Sequence, residues 1–479
     1  MSDFERLGKN SIYSFLTTFF RLFSNVILFW LIARFYGKEI FGQFTIAQTY
    51  ASVFVLFADF GLDILLTTEI PRNILNSVKI FQRLFSIKLL LTLIAFLGMF
   101  ILLFFSDYNF QTKQLIIIFI FYAAFYTISN FLFALFKGNE KLHFETKVAF
   151  FVNLTSLVVI LLLIFLKQNI FIITISFAII RLLGLVLAVF FAFKILPSIS
   201  FRLNFSQSKE IINQVIVFGL FLVFGNLYFQ LDTILLSFLK DPDSVGIYQA
   251  VFRLVMLPLI IPEILINSTL PTLSRLNSTD SLKWEKLGFM LNKFLIIVSI
   301  PISVILYFFA PQIISIVYGK AEYFQSIPIL KIFAVIVFVR FFSEAYGLML
   351  TTSNRQKIRM YVVVIATVVN LLLNVIFIPI FGAYGAAIVA LITNIFVAIL
   401  FLFNTKSIIG KWNKNIFKPS LLFAASVLIL LILIFTYLNI WYLSIFPLIF
   451  YFYYIYFYFL SDSDKKYIAD IKYILRKRI

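Results

Sequence analysis

Residues 419–437 read PSLLFAASVLILLILIFTY, and the next charged side chain is Asp462. An apolar run of about twenty residues spans a ~30 Å hydrocarbon core as a helix, whereas a membrane β-strand shows about ten residues of alternating polarity. Helices and closed barrels are the two structures that satisfy every backbone polar group in lipid. This stretch, and the similar runs before it, predict an all-α polytopic membrane protein.

The composition of the whole chain agrees with a membrane location. Of its 479 residues, 62% are hydrophobic and 13% are charged, and the mean hydropathy is +1.04. A soluble domain of this size does not tolerate so much apolar surface. The chain has no cysteine and one histidine, so nothing favours a metal site, a cofactor or a cysteine or histidine nucleophile. The short loops leave no room for a soluble catalytic domain, so we do not expect an enzyme.

Apolar runs separated by charged breaks predict about fourteen transmembrane helices. The predicted spans are 11–33, 41–66, 84–105, 115–136, 148–166, 170–193, 216–239, 246–270, 289–309, 328–350, 359–380, 383–403, 417–437 and 441–460. The lysines and arginines lie mostly in alternate connections, which predicts that both termini are cytoplasmic. We attribute the net charge of +19 to this topology rather than to a nucleic-acid partner.

Two short motifs recur six helices apart. Phe41-Gly42-Gln43-Phe44 opens the second predicted span, and Val245-Gly246-Ile247-Tyr248 opens the eighth. This spacing predicts two pseudo-symmetric six-helix lobes plus two C-terminal helices, an arrangement known from alternating-access transporters. The predicted divisions are an N-terminal lobe at 1–193, a cytoplasmic linker at 194–215, a C-terminal lobe at 216–403, two additional transmembrane helices at 404–460 and a basic cytoplasmic amphipathic tail at 461–479.

Several short motifs have a specific order and spacing along nearly the whole chain. They are Ala33-Arg34-Phe35-Tyr36-Gly37 with 41–44, Asp59-Phe60-Gly61-Leu62, 136–141, Gln230-Leu231-Asp232-Thr233 with 245–248, Val317-Tyr318-Gly319, 351–357, 370–374 and 378–387. Together they resemble the Wzx-type polysaccharide flippases of the multidrug/oligosaccharidyl-lipid/polysaccharide exporter superfamily. The chain also lacks the G-x-x-x-x-G-K-[ST] phosphate loop of an ATPase, which agrees with this resemblance.

The resemblance implies export of undecaprenyl-diphosphate-linked oligosaccharide repeat units for O-antigen, capsule or exopolysaccharide across a bacterial plasma membrane. It implies four kinds of partner: the lipid-linked substrate, membrane lipid, a driving proton or sodium ion, and a polysaccharide polymerase. Because fold does not fix substrate, three alternatives remain open. They are a multidrug or organic-cation antiporter, a membrane glycosyltransferase or polymerase of the same pathway, and a lipid II flippase.

Charged side chains at membrane depth are the candidate functional residues, because they are costly there unless they face a cavity or a partner. Arg21, Arg181 and Arg340 fall near the middle of their spans. A guanidinium fork matches phosphate oxygens and never loses its proton. We therefore expect these arginines to line a cationic cavity for the diphosphate and sugar head group. Structural ion pairs are the alternative, above all for Arg340, since Glu344 lies one turn further on.

The candidates for gating or ion coupling are Glu344, the pair of Asp232 and Arg253, and the pair of Asp59 and Asp63. Asp232 and Arg253 lie at matching depths in neighbouring spans and are expected to pair, either structurally or as a gate. Asp59 and Asp63 lie one helical turn apart, and buried carboxylates can bind and release a driving ion. The alternative for this acidic pair is a structural ion pair near the cytoplasmic interface, with Arg72, Arg83 or Lys88.

The eighth predicted span holds the remaining candidates. Glu263 is a further ion-coupling candidate, and Pro258 and Pro262 predict a kink or hinge beside it. Structural bending alone is the alternative for the two prolines. Lys88, near the end of its own span, is predicted to extend its ammonium to the membrane interface.

Overall fold

The computed structural model describes residues 3–72, 76–197, 199–205, 230–319, 321–406 and 418–462, together with 219, 223, 227 and 465. Within these residues the backbone is almost entirely helical and contains no strand. Most of the predicted linker beyond residue 205, most of the first half of the span 216–239 and most of the amphipathic tail lie outside the described residues.

The described helices are numbered here in chain order. They are α1 (Asp3–Tyr36), α2 (Lys38–Asp59), α3 (Leu62–Arg72), α4 (Ser77–Phe104), α5 (Phe110–Gly138), α6 (Leu142–Phe165), α7 (Ile170–Ile195), α8 (Gln230–Leu239), α9 (Pro242–Thr279), α10 (Ser281–Phe308), α11 (Ala310–Tyr318), α12 (Ile327–Thr352), α13 (Gln356–Thr405), α14 (Pro419–Tyr437) and α15 (Ile445–Tyr454). Short 3₁₀ turns at Ala321–Ser326 and Trp441–Ser444 precede α12 and α15, and a π-helical turn at Ile455–Phe459 follows α15.

These helices confirm the predicted class. Eleven described helices are long and apolar enough to cross a membrane. One of them, α13, is interrupted at Gly382, where φ is 58° and ψ is −137°, so it supplies the two spans predicted at 359–380 and 383–403. Shorter apolar helices at Phe23–Tyr36 and Gln230–Leu239 account for the spans of α1 and α8. The protein is therefore an all-α polytopic membrane protein with about fourteen transmembrane helices.

The second predicted span, 41–66, is wrong as a single helix. The helix α2 ends at Asp59, and Phe60 and Gly61 take left-handed backbone conformations with φ of 44° and 87°. Glycine adopts this conformation at no steric cost, so the pair Phe60-Gly61 ends the helix and lets α3 begin in a new direction. The break sets the positions of the two carboxylates that flank it.

The chain divides into two compact units, Met1–Ala250 with Ile378–Ala383, and Val251–Phe377 with Tyr384–Ile479. In the first unit, α5 packs against α2, α3, α4 and α7, and α1 packs against α6. In the second unit, α10 packs along α12, and α14 packs against α10 and α15. The lobe boundaries 1–193 and 216–403 stay a prediction.

The two repeated motifs meet within the first unit, where α2 crosses the start of α9. A Cβ atom at Gly42 would lie 1.8 Å from the carbonyl oxygen of Pro242, and one at Gly246 would lie 2.0 Å from the carbonyl oxygen of Lys38. Small residues let membrane helices approach until their backbones touch. Beside this glycine crossing, the Lys38 ammonium lies 2.9 Å from the Asp243 carboxylate.

Candidate functional site

The break between α2 and α3 places two carboxylates beside one ammonium of α4. Nζ of Lys88 lies 2.9 Å from Oδ1 of Asp59 and 2.9 Å from Oδ1 of Asp63, and its side chain is 0% exposed. The backbone N–H of Asp63 donates to the same Asp59 oxygen at 3.2 Å. The expected pairing of this acidic pair with Lys88 is confirmed. The prediction that Lys88 extends to the interface is wrong, because the two carboxylates hold its ammonium among the helices.

A cavity of about 330 Å³ lies beside Asp63, between α1, α3, α5 and α6. Its other charged lining residues are Arg21, Lys137 and Glu145, joined by the polar residues Thr67, Thr68 and Asn130. The side chain of Glu145 is 6% exposed, and its Oε1 lies 3.3 Å from Nζ of Lys137 and 3.7 Å from Nη2 of Arg21. One buried carboxylate thus faces two cations, so this wall of the cavity carries a net positive charge.

Arg181 contacts an aromatic pair on α5. Its Nη2 donates to the hydroxyl of Tyr122 at 3.1 Å, and its Cζ lies 4.6 Å from the ring centre of Tyr126. Such cation–π contacts hold a guanidinium in a fixed plane. The Nε–H group of Arg181 is buried and has no hydrogen-bond partner among the described residues. A polar group left in this state is available to a ligand.

Tyr126 connects Arg181 to the cavity. Its ring centre lies 4.6 Å from Cζ of Arg181, and Asn130, one turn further along α5, lines the cavity together with Arg21. Tyr122, Tyr126 and Asn130 are spaced one turn apart, so they lie on one face of α5. The structure therefore brings two of the three predicted arginines to one polar interior, which we call the N-terminal cavity site.

The third predicted arginine lies in the other unit, in a network of its own. Nη2 of Arg340 lies 3.9 Å from one Glu344 oxygen, and Nη2 of Arg359 lies 3.8 Å from the other. Arg359 also donates through Nη1 to the hydroxyl of Thr351 at 2.9 Å. The structural pairing of Arg340 with Glu344 is thus present, while substrate binding by Arg340 and gating or ion coupling by Glu344 stay predictions.

Asp232 is tied to the helix that follows it. The hydroxyl of Tyr248 donates to the Asp232 carboxylate at 2.7 Å, and Nε2 of Gln249 donates to Oγ1 of Thr233 at 2.6 Å. These two bonds join α8 to α9 inside the first unit. The expected pairing of Asp232 with Arg253, and its use as a gate, stay predictions.

The other candidates of α9 belong to the second unit. Arg253 interacts electrostatically with Tyr318 of α11, and Glu263 is exposed. The helix α9 runs without interruption past Pro258 and Pro262, although neither proline donates a backbone hydrogen bond. A hinge at the two prolines and ion coupling at Glu263 remain predictions.

Sequence reasoning missed several residues of the N-terminal cavity site. Lys137 and Glu145 fall in a predicted loop, but α5 continues to Gly138 and α6 begins at Leu142, so both lie in helix ends. The spacing of Tyr122 and Tyr126, continued by Asn130, was a usable signal for a polar face on α5. Among the described residues, no group of His, Asp and Glu could hold a metal ion.

The fold is similar to that of membrane transporters of known structure. The lipid II flippase MurJ in an inward closed conformation has a TM-score of 0.68 and 18% identity, covering 91% of this chain and 97% of MurJ. A multidrug resistance MATE family transporter of the MOP superfamily has a TM-score of 0.62 and 16% identity, covering 83% and 96%. A MOP superfamily transporter from Pyrococcus furiosus has a TM-score of 0.59 and 14% identity, covering 85% and 96%. The helices of this chain therefore have the same fold as these proteins.

Two family models and one relative match parts of the sequence. The model described as polysaccharide biosynthesis protein matches residues 7–277, more than half of the chain, and the chain belongs to that family. A model described as MatE matches residues 216–376. The probable flippase AglR of Haloferax volcanii is 30% identical over 177 residues, which make up 35% of this chain and 35% of AglR. The chain thus matches about a third of the length of this relative.

Proposed function

We propose that the protein is a flippase that moves undecaprenyl-diphosphate-linked oligosaccharide repeat units from the cytoplasmic to the outer face of a bacterial plasma membrane by alternating access. The observation that carries this proposal is the position of two arginines in the N-terminal cavity site, where Arg21 lines the cavity and Arg181 contacts Tyr122 and Tyr126. A diphosphate that leaves water needs compensating positive charge, and two guanidinium groups supply it without a protonation change. The buried Nε–H of Arg181 is a ready donor to a phosphate oxygen.

The rest of the cavity fits the head group of such a lipid. Thr67, Thr68 and Asn130 offer hydrogen bonds to hydroxyl groups of a sugar. A volume of about 330 Å³ is at the lower end of the range for small-molecule sites, which suits a diphosphate with its first sugar. The prenyl chain and the outer sugars would remain outside it. Membership of the polysaccharide biosynthesis family and the similarity to AglR and MurJ, which are both described as flippases, support the same assignment.

A second candidate function is export of organic cations or drugs. The match of the MatE model to residues 216–376 and the structural similarity to MATE transporters favour it. The carboxylates of Asp63 and Glu145 could face a cationic drug, but both already have basic partners. A catalytic role in the same pathway would need a reactive constellation on the outer loops, which the sequence does not offer.

The test is the location of lipid-linked repeat units after deletion of the gene. Spheroplasts are treated with a glycosidase that cannot cross the membrane, and protected and cleaved repeat units are compared. We expect complete units to accumulate in the protected, cytoplasmic pool and to be released by the wild-type gene. Unpolymerised units on the outer face would instead indicate a polymerase, and an unchanged distribution together with increased drug sensitivity would indicate a multidrug exporter.

A further inference from the structure

The cluster of Asp59, Asp63 and Lys88 has unequal charges. Two carboxylate oxygens lie 2.9 Å from a single ammonium whose side chain is 0% exposed. With both carboxylates ionised, the cluster carries one uncompensated negative charge within the helices. Such a charge is expensive at membrane depth, whereas one bound proton makes the cluster neutral.

Asp63 connects this cluster to the N-terminal cavity site, because it also lines the cavity. Several titratable or charged groups face it from the surrounding helices: Asp59 of α2, Lys88 of α4, Arg21 of α1, Tyr126 and Lys137 of α5, and Glu145 of α6. The cations on the cavity side compensate the carboxylate while the cavity is empty. An anion that pairs with these cations removes that compensation and adds its own negative charge.

We propose that Asp59 and Asp63 share one exchangeable proton, and that a diphosphate group in the cavity promotes uptake of this proton. The proposal rests on the proposed function and names a proton as a second ligand of the same site. The proton passes from water in the cavity to a carboxylate oxygen and returns to water when the ligand leaves, and the carboxylate that remains ionised pairs with Lys88. By linkage, the proton must strengthen diphosphate binding by the same factor by which diphosphate strengthens proton binding.

The geometry favours a proton over sodium at this position. The ammonium of Lys88 lies within hydrogen-bonding distance of both carboxylates and donates to each. A sodium ion between the carboxylates would therefore have to displace a buried lysine that the surrounding helices hold in place. A proton needs only one oxygen lone pair and no displacement.

The experiment measures binding of inorganic pyrophosphate to the purified full-length protein by calorimetry, from about pH 6 to about pH 8, in buffers of different ionisation enthalpy. For the wild type we expect affinity to fall on the order of tenfold as the pH rises, with net proton uptake on binding. The variants Asp59→Asn and Asp63→Asn each leave Lys88 paired with one carboxylate, so neither has the surplus charge. Both variants should bind pyrophosphate with little dependence on pH, and near pH ~8 they should bind it more tightly than the wild type does.

Glu145→Gln is the matched control, because it also removes one carboxylate beside the cavity. Glu145 faces two cations, Arg21 and Lys137, and lies outside the cluster of Asp59, Asp63 and Lys88. This variant should bind pyrophosphate more tightly throughout and keep the wild-type slope with pH. Titration of pyrophosphate itself affects all variants equally and cancels in the comparison.

The proposal is overturned if the two Asp→Asn variants keep the wild-type slope, or if Glu145→Gln alone loses it. Tighter binding at high pH is a gain that a misfolded variant cannot produce. Repeating the titration with farnesyl diphosphate separates two sources of the ligand: a pH slope with both compounds assigns the effect to the diphosphate, and a slope with farnesyl diphosphate alone assigns it to a lipid head group. Proton-linked binding without export of repeat units would overturn the proposed function and leave this inference standing.

Discussion

The two charged networks of this protein differ in how they are solvated. In the cluster of Asp59, Asp63 and Lys88, the lysine is 0% exposed and both N···O distances are 2.9 Å. In the network of Arg340, Glu344 and Arg359, the side chains are 19–34% exposed and the distances are 3.8–3.9 Å. The carboxylates of the two networks are similarly exposed, at 21–25%, so the networks differ in the burial of their cations and in their distances. Removing one partner leaves an uncompensated charge where water cannot replace it.

This difference also separates the predicted arginines by role. Arg340 already has a carboxylate one turn away, so part of its charge is neutralised within its own helix. Arg181 contacts tyrosines instead and keeps its full charge for a ligand. Arg21 shares Glu145 with Lys137, so that wall stays positive. We therefore expect the N-terminal arginines to matter most for an anionic substrate.

The largest effect is expected for Lys88→Met, which leaves the carboxylates of Asp59 and Asp63 without their buried ammonium. We expect the free energy of unfolding to fall by about 3–5 kcal/mol, measured by denaturation in detergent micelles. The control is Lys283→Met, because Lys283 pairs with Asp280 while it is 72% exposed, and its loss should cost less than about 1 kcal/mol. Equal losses for the two variants would contradict the expected difference between a buried and an exposed lysine. Adding Asp59→Asn and Asp63→Asn to Lys88→Met should restore stability.

A second effect concerns export. Arg181→Ala and Arg21→Ala should each lower export of repeat units on the order of tenfold, because a bidentate phosphate contact is lost, while the Lys variants should retain most of the activity. Arg340→Ala should lower export less than either. The measurement is complementation of the deletion strain at matched protein level. Full export in all three alanine variants would end the cationic-cavity hypothesis.

The smallest effect is expected for Glu344→Gln. Its two arginine partners are partly exposed, so water replaces the lost carboxylate and the free energy of unfolding should change by no more than about 1 kcal/mol. The same detergent denaturation measures it. A loss as large as that of Lys88→Met would show that exposure does not set the difference between the networks, and that the second network is as critical as the first.

The fold was largely predictable, because apolar run length and the alternation of basic loops are properties of the chain alone. The interruption at Gly382 followed from its position between two apolar runs. The interruption after Asp59 did not, because only one glycine marks it and the apolar pattern continues on both sides. A break of this kind depends on how the following helix packs.

The candidate site was predictable only in part. Mid-span arginines stand out in any apolar sequence, so Arg21 and Arg181 were found. The partners of Arg181 were not, because Tyr122 lies 59 residues away and tyrosines are common in this chain. Lys88 shows the same limit, since position along a span gives depth in the membrane but does not give the side of the helix or what faces it. Contacts between helices that are distant in sequence are needed to decide which side of a helix a residue occupies and which residues it faces.

The glycine crossing of α2 and α9 also constrains how this chain can vary. At Gly42 and Gly246 the nearest obstacle to a methyl group is a backbone carbonyl oxygen of the other helix, not a side chain. A compensating substitution usually makes room by replacing a large side chain with a smaller one. No substitution removes a backbone carbonyl oxygen. A substitution at one glycine therefore cannot be compensated by a substitution at the other. A larger residue at either position fits only if α2 and α9 move apart.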